Sequence, residues 1–167
     1  KWERGDSREK AAAAVKLIFR TLPKVVEDGE NIRLRNIMAH AAYMAGQAIN
    51  QVNVGNVHAI AHQLGARYGI PHGIANAQVL PHVLQASMPE ASMRLGELAG
   101  MLGVNSADEF ITAVRALNRK LGIPDKVRAL QAADFEAITE GALAEADGYP
   151  VPHIMSPEEV QAVLTRL

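Results

Sequence analysis

Three times this chain sets a polar residue three positions ahead of a glutamate, just before an apolar run. The three are Asp6-Ser-Arg-Glu9, Ser106-Ala-Asp-Glu109 and Ser156-Pro-Glu-Glu159. That spacing lets a side chain satisfy the orphan N–H groups at a helix N-terminus. The runs that follow keep a period of three and four: Val15, Ile18, Phe19 and Leu22, then Phe110, Ile111, Val114, Leu117 and Leu121, then Val160, Val163, Leu164 and Leu167. Such a pattern buries one stripe of a helix and cannot serve a half-buried strand, whose period is two. No segment shows convincing strand alternation, and no internal repeat or low-complexity stretch interrupts the scheme. Composition agrees: 49% hydrophobic but only 4% aromatic, with Ala abundant, favours closely packed helices. We expect an all-α chain of seven to nine helices, and its 167 residues suffice for one domain spanning residues 1–167.

In order, a first helix runs over residues 11–22, with Pro23 ending or interrupting it before the polar turn at Glu27-Asp-Gly-Glu. A second covers residues 31–51, charged at its start and nearly neutral after Met38, which suggests an outer and a buried end. Ala39, Ala42, Ala45 and Gly46 would let another helix approach it closely. Further helices are expected over residues 54–68, 73–87 with a kink at Pro81, 89–102, 106–121, 134–146 and 156–167. Gly148-Tyr-Pro-Val-Pro152 reads as a rigid connector.

Several functions are disfavoured at once. A net charge of −1 with interspersed signs gives no electrostatic case for nucleic acid or an anionic membrane. The absence of Cys excludes disulfides and thiolate metal sites. No apolar run approaches the ~18 residues of a membrane span. A glycine-rich dinucleotide fingerprint is missing, as is a Ser or Cys nucleophile in a recognisable frame. Acidic pairs such as Glu158 and Glu159 sit at helix starts, where the dipole explains them. The opening Lys1-Trp-Glu-Arg-Gly5 is neither a signal peptide nor an obvious start, and we expect a fragment of a longer protein.

What remains is a histidine segment, Gly55-Asn-Val-His58-Ala-Ile-Ala-His62-Gln-Leu-Gly65, ending Pro71-His72-Gly73, which holds three of the six histidines. His58 and His62, four apart on a helix, project from one face. Gly69 offers a stop and Pro71 a start for the next helix, so the reversal carries His72 back towards the first two. Imidazoles from two helices meeting across a turn can make part of a metal site. Two other readings stay open from the residues alone: a non-catalytic metal-binding helical module, and a structural domain whose histidines are core groups. His40 reads as structural and His82, after Pro81, as a packing or surface residue.

The run Gly55-x-x-His58-x-x-Ala61-His62-x-x-Gly65, with Pro71-His72-Gly73, resembles the signature of the iron-containing (group III) alcohol dehydrogenases. The likeness extends through Leu22-Pro23, Asp28-Gly29, Ala45-Gly46, Leu80-Pro81-His82-Val83, Leu121-Gly-Ile-Pro124 and the segment from Pro150 to Glu159. It implies the multi-helical C-terminal domain of a dehydroquinate-synthase-like, iron-containing alcohol dehydrogenase fold. An N-terminal α/β domain of the same enzyme would hold the nicotinamide cofactor, NAD or NADP. The resemblance assigns metal ligation to His58 and His72, and to His62 a place beside nicotinamide and substrate, where it relays a proton or orients the cofactor. Two further ligands, an Asp and a His four residues later, would fall shortly before Lys1. The implied metal is Fe²⁺, with Zn²⁺ the alternative. The implied reaction is metal-assisted hydride transfer between the nicotinamide and a primary alcohol or aldehyde, in a cytoplasmic homo-oligomer. Ile49 stands where many members place Phe near the substrate.

Overall fold

A computed structural model of the chain describes residues 5–167, and the sequence reading of residues 1–4 lies outside that range. Among the described residues there are eight α-helices, one 3-10 turn and no strand. The helices are α1 (Ser7–Glu27), α2 (Ile32–Val52), α3 (Asn56–Tyr68), α4 (His72–Ala86), α5 (Met88–Leu102), α6 (Ala107–Lys120), α7 (Phe135–Ala146) and α8 (Pro157–Arg166). The 3-10 turn, Ala132–Asp134, leads into α7.

Of the three expected caps one forms in full and one in part. Ser156 accepts from the Glu159 N–H at 3.3 Å while the Glu159 carboxylate accepts from the Ser156 N–H at 2.8 Å, a complete capping box. Ser106 accepts from the Glu109 N–H at 3.1 Å, but Glu109 reaches back one residue further, to the Asn105 N–H at 2.9 Å. The third does not form. The Asp6 carboxylate makes no cap and is drawn off to Lys10 Nζ at 2.9 Å and Gln51 Nε2 at 3.0 Å. Pro23 does not end α1 either; the helix passes through it to Glu27 and pairs along its length with α2.

α4 is the wedge of the molecule. Its Ala75, Val79 and Val83 join α3, α7 and α8 in one core, around Ile60, Leu64, Ile138, Val160 and Leu164. Its Leu80 and Leu84 pack against a second core built by α5 and α6 around Leu95, Phe110, Ile111 and Val114, which Val15 and Phe19 of α1 also meet. The rings of Phe19 and Phe110 lie 6.0 Å apart in a tilted pair. A helix buried on two sides needs its polar groups met, and Pro81 inside it leaves the Ala77 carbonyl without its helical donor. Asn118 of α6 fills the gap: its side-chain N–H donates to Ala77 O at 2.6 Å. The proline is thereby kept inside a continuous helix.

The second helix departs from expectation. Only Ala41 and Ala48 are buried on α2, and its late half exposes Tyr43 (64%) and Ile49 (44%). The small residues were expected to admit a close helix, yet a Cβ at Gly46 would meet nothing within 4 Å. One face of α2 is taken by α1, and no other helix among the described residues covers the opposite one.

Candidate functional site

The reversal between α3 and α4 is built by two glycines. Gly69 takes the left-handed conformation (φ 67°) that closes α3, its N–H donating to Gly65 O at 3.0 Å. A Cβ at Gly65 would press on Ile70 O at 3.3 Å, so the returning chain can pass close only because that position is bare. Pro71 then occupies the N-cap and α4 opens at His72 itself, one residue before the expected start.

The outcome is a triangle of imidazoles. Ring centroids are 5.8 Å apart for His58 and His62, 5.4 Å for His58 and His72, and 5.2 Å for His62 and His72. All three candidate residues are therefore brought together. The remaining three histidines serve elsewhere: His40 is exposed on α2, His82 is buried behind Pro81, and His153 pins the loop before α8.

The surroundings differ from ring to ring. His58 is half-buried, and burial first, then the nearby His72 and His62, push its pKa below the ordinary value against the opposing pull of Glu145. That keeps the imidazole neutral, with a lone pair to offer. His62 is more open, and its Nδ1 lies 2.6 Å from Glu145 Oε1. Tyr149 donates to the same carboxylate oxygen at 3.2 Å and Gln63 Nε2 approaches the other at 3.4 Å. At the start of α4, the Asn76 amide donates to the His72 carbonyl at 2.8 Å, and its own buried oxygen has no partner among the described residues.

Glu145 and Asn76 were not singled out from sequence. Asn76 stands four residues after His72, so helical spacing alone could have flagged it. Glu145 lies 83 residues from His62, on a helix whose local pattern carries no hint of the contact.

His58 and His72, but not His62, line a cavity of about 720 Å³ between α2, α4, α5 and the connector at residues 150–152. Most of its wall is aliphatic, with Ile49, Leu80, Val83, Leu84 and Val151 prominent. Asn53 borders it in an extended conformation with positive φ (95°, ψ 179°), a region that only glycine adopts freely. Its Oδ1 accepts from the Val54 N–H at 2.8 Å, which braces the turn into α3.

By ring spacing, each pair among His58, His62 and His72 fits two ligands of one divalent cation. Imidazole nitrogens at about 2.0–2.1 Å from a common ion leave ring centres on the order of 5 Å apart, and the three separations are 5.8, 5.4 and 5.2 Å. The set is partial, however. Among the described residues no group of three or more His, Asp or Glu side chains is disposed to hold a metal alone.

Comparison with known proteins gives this geometry a family. A profile of the Fe-containing alcohol dehydrogenase family, C-terminal, matches residues 9–167. Alcohol dehydrogenase 4 of Saccharomyces cerevisiae is 39% identical over 162 residues, which are 93% of this chain and 42% of that protein. The NAD-dependent methanol dehydrogenase of Bacillus methanolicus is 32% identical over 164 residues, covering 92% of this chain and 43% of its own length. The crystal structure of a 1,3-propanediol oxidoreductase superposes with a TM-score of 0.94 at 33% identity, over 99% of this chain and 46% of that one. The chain thus spans less than half the length of these relatives. By the reach of the profile and the closeness of the fold, it belongs to the Fe-containing alcohol dehydrogenase family and corresponds to the C-terminal, all-helical part of its members.

Proposed function

We propose that this chain is the helical, metal-holding domain of an NAD(P)-dependent alcohol dehydrogenase that interconverts primary alcohols and aldehydes. The observation that carries the reading is the imidazole triangle beside an apolar cavity, with two of its three corners in the cavity wall. A second, nucleotide-binding domain of the same enzyme would supply the cofactor site, in keeping with relatives more than twice as long. A homo-oligomeric assembly belongs to the same proposal.

In this reading His58 and His72 hold the metal, from helices fixed by the two cores. When bound, Fe²⁺, or Zn²⁺ in its place, supplies Lewis acidity towards the substrate oxygen, and the nicotinamide supplies the hydride chemistry. The chain's own residues do the rest. Burial keeps His58 neutral, the form a ligand must have. Ile49, Leu80 and Leu84 exclude water and accept the alkyl part of an alcohol. Asn76 fixes the first turn of α4 and so the reach of His72. For His62, donation from Nδ1–H to Glu145 leaves Nε2 as a proton acceptor, suited to relaying the alcohol proton.

One observation favours a second reading of His62. A carboxylate on the far ring nitrogen is also what a metal-bound histidine has. Metal analysis of three purified variants of the full-length enzyme separates the two. His58→Ala and His72→Ala should each lose bound metal and turnover together, with no rescue by added cofactor. His62→Ala should keep its metal and lose turnover by roughly 10²–10⁴-fold, or less if the ring only orients the cofactor. Loss of metal from His62→Ala as complete as from His72→Ala would make it a ligand. Equal losses of thermal stability with unchanged metal content in all three would leave only a structural role.

A further inference from the structure

A second, smaller cavity of about 230 Å³ shares no lining residue with the histidine cavity. It opens between α4, α6, the loop that follows α6, and the end of α8. Four cations converge there from three separate elements: Arg115 and Arg119 of α6, Lys126 of the loop and Arg166 of α8. A single carboxylate, Asp125, joins them. Among the described residues none of the four is ion-paired with a carboxylate; Arg115 reaches only the Pro81 carbonyl at 3.4 Å and Lys126 the Arg166 carbonyl at 2.8 Å. Four cations against one carboxylate repel one another on balance, and the two carbonyl contacts leave that excess charge uncompensated.

The same wall contains a polar ring without a partner. His82 is 9% exposed, its buried Nδ1 has no hydrogen-bond partner, and no bond to its other nitrogen is found among the described residues. Burial, then Arg115, Arg166 and Lys126, push its pKa down to about 4 against the pull of Asp125, so it stands neutral with one N–H to donate. Next to it, Gln78 is locked by donating to the Pro124 and Lys126 carbonyls at 2.9 and 3.2 Å, which fixes that edge of the pocket.

We propose that this pocket binds a phosphate group. Four cations against one carboxylate suit a dianion better than a monocarboxylate, which would leave most of the charge unmet. The guanidinium fork matches phosphate oxygens two at a time. The volume admits a phosphate or a small ester and falls below the ~300 Å³ at which pockets for drug-sized ligands begin. The site is separate from the proposed dehydrogenase centre and does not rest on that reading.

The test is thermal unfolding of the full-length protein in rising inorganic phosphate, against sodium chloride at matched ionic strength. Glycerol 3-phosphate in a parallel series tells a free phosphate from an esterified one by which half-saturates lower. We expect saturable stabilisation beyond that of chloride by one or both. Arg115→Gln with Arg166→Gln should weaken it by about tenfold or more. The exposed Arg119→Gln, which removes no internal bond, should weaken it too and covers the case in which the double variant misfolds. Lys16→Gln with Arg33→Gln, on α1 and α2, should leave it unchanged. Stabilisation no greater than that by chloride overturns the proposal, and so does a phosphate effect that survives in the Arg119→Gln and double variants.

Discussion

His153 ties three helices together, two through its ring and one through its carbonyl. Its Nδ1 lies 3.1 Å from Glu90 of α5, its Nε2 lies 2.9 Å from both carboxylate oxygens of Glu159 on α8, and its carbonyl accepts from the buried Asn56 amide of α3 at 2.9 Å. Burial works against the charged imidazole, but Glu159 and then Glu90 outweigh it, and the pKa of His153 is raised. For Glu159, hydrogen bonding by the Ser156 N–H, then the histidine, outweighs burial and the like charge of Glu158 and lowers the pKa. The signs follow from linkage. The contribution of His153 is full below its unfolded value near 6.5 and is lost as pH rises through its higher folded value. That of Glu159 is present above its unfolded value near 4.3 and is lost as pH falls through its lower folded value. Both are in force between about pH 4.5 and 6.5. His153→Gln should therefore cost most in that window, on the order of 1 kcal/mol because both carboxylates are more than a third exposed. The gap in Tm, measured by calorimetry against wild type, should be about 2–4 °C there and should shrink above pH 8. A gap that widens towards alkaline pH would mean that the ring acts by packing and not by charge.

At the scale of the element, α4 decides most of what the molecule can do, because it carries His72 at its start, lies in both cores and lines both cavities. Its integrity rests on the bond from Asn118 to the carbonyl that Pro81 abandons. Asn118→Ala should cost about 1–3 kcal/mol, the usual penalty for a carbonyl left unmet inside. In a Pro81→Ala background the helix regains its own N–H donor, so the same change should cost measurably less. A double-mutant cycle by urea unfolding reads that coupling, and additivity within error would deny it. Much of this architecture was legible beforehand. The caps at Ser106 and Ser156, the stripe from Phe110 to Val114 and the stop at Gly69 are local codes, each satisfied within four residues of its signal. What could not be read is what depends on distant partners. Asp6 makes no cap: its backbone (φ −100°, ψ 19°) lies outside the extended region of a capping residue, and its carboxylate bonds Lys10 and Gln51 instead. The late half of α2 is nearly uncharged yet exposed, because burial needs a neighbouring element and composition cannot say whether one comes. In the site, the three histidines were visible by spacing, whereas Glu145 and the aliphatic cavity arise only when α7 and the 150–152 connector fold over them.

For the molecule as a whole, the question is how much of an enzyme these helices make. Three imidazoles and a partial wall are present, but among the described residues no three such side chains are disposed to hold a metal alone, and three or four donors with one open position are the rule for a catalytic divalent metal. The phosphate-cradling glycine loop that marks one common nucleotide site is also missing from the sequence. Two cores, by contrast, are built from residues of this chain, and α4 joins them. Folding and catalysis should therefore come apart. Residues 1–167 expressed alone should give a helical circular dichroism spectrum and a cooperative melt, yet bind Fe²⁺ or Zn²⁺ weakly and fail to reduce NAD⁺ or NADP⁺ with any primary alcohol. Each missing ligand of a divalent site removes several kcal/mol, so affinity should fall by orders of magnitude relative to the full-length protein. Titration calorimetry with Zn²⁺, which needs no anaerobic handling, checks the affinity. The absorbance of reduced nicotinamide checks the activity. Tight metal binding by the isolated chain would show that His62 or another donor completes the site from within. Alcohol-dependent reduction of nicotinamide by the pure chain would show that the cofactor too is bound here, and the two-domain reading would fall.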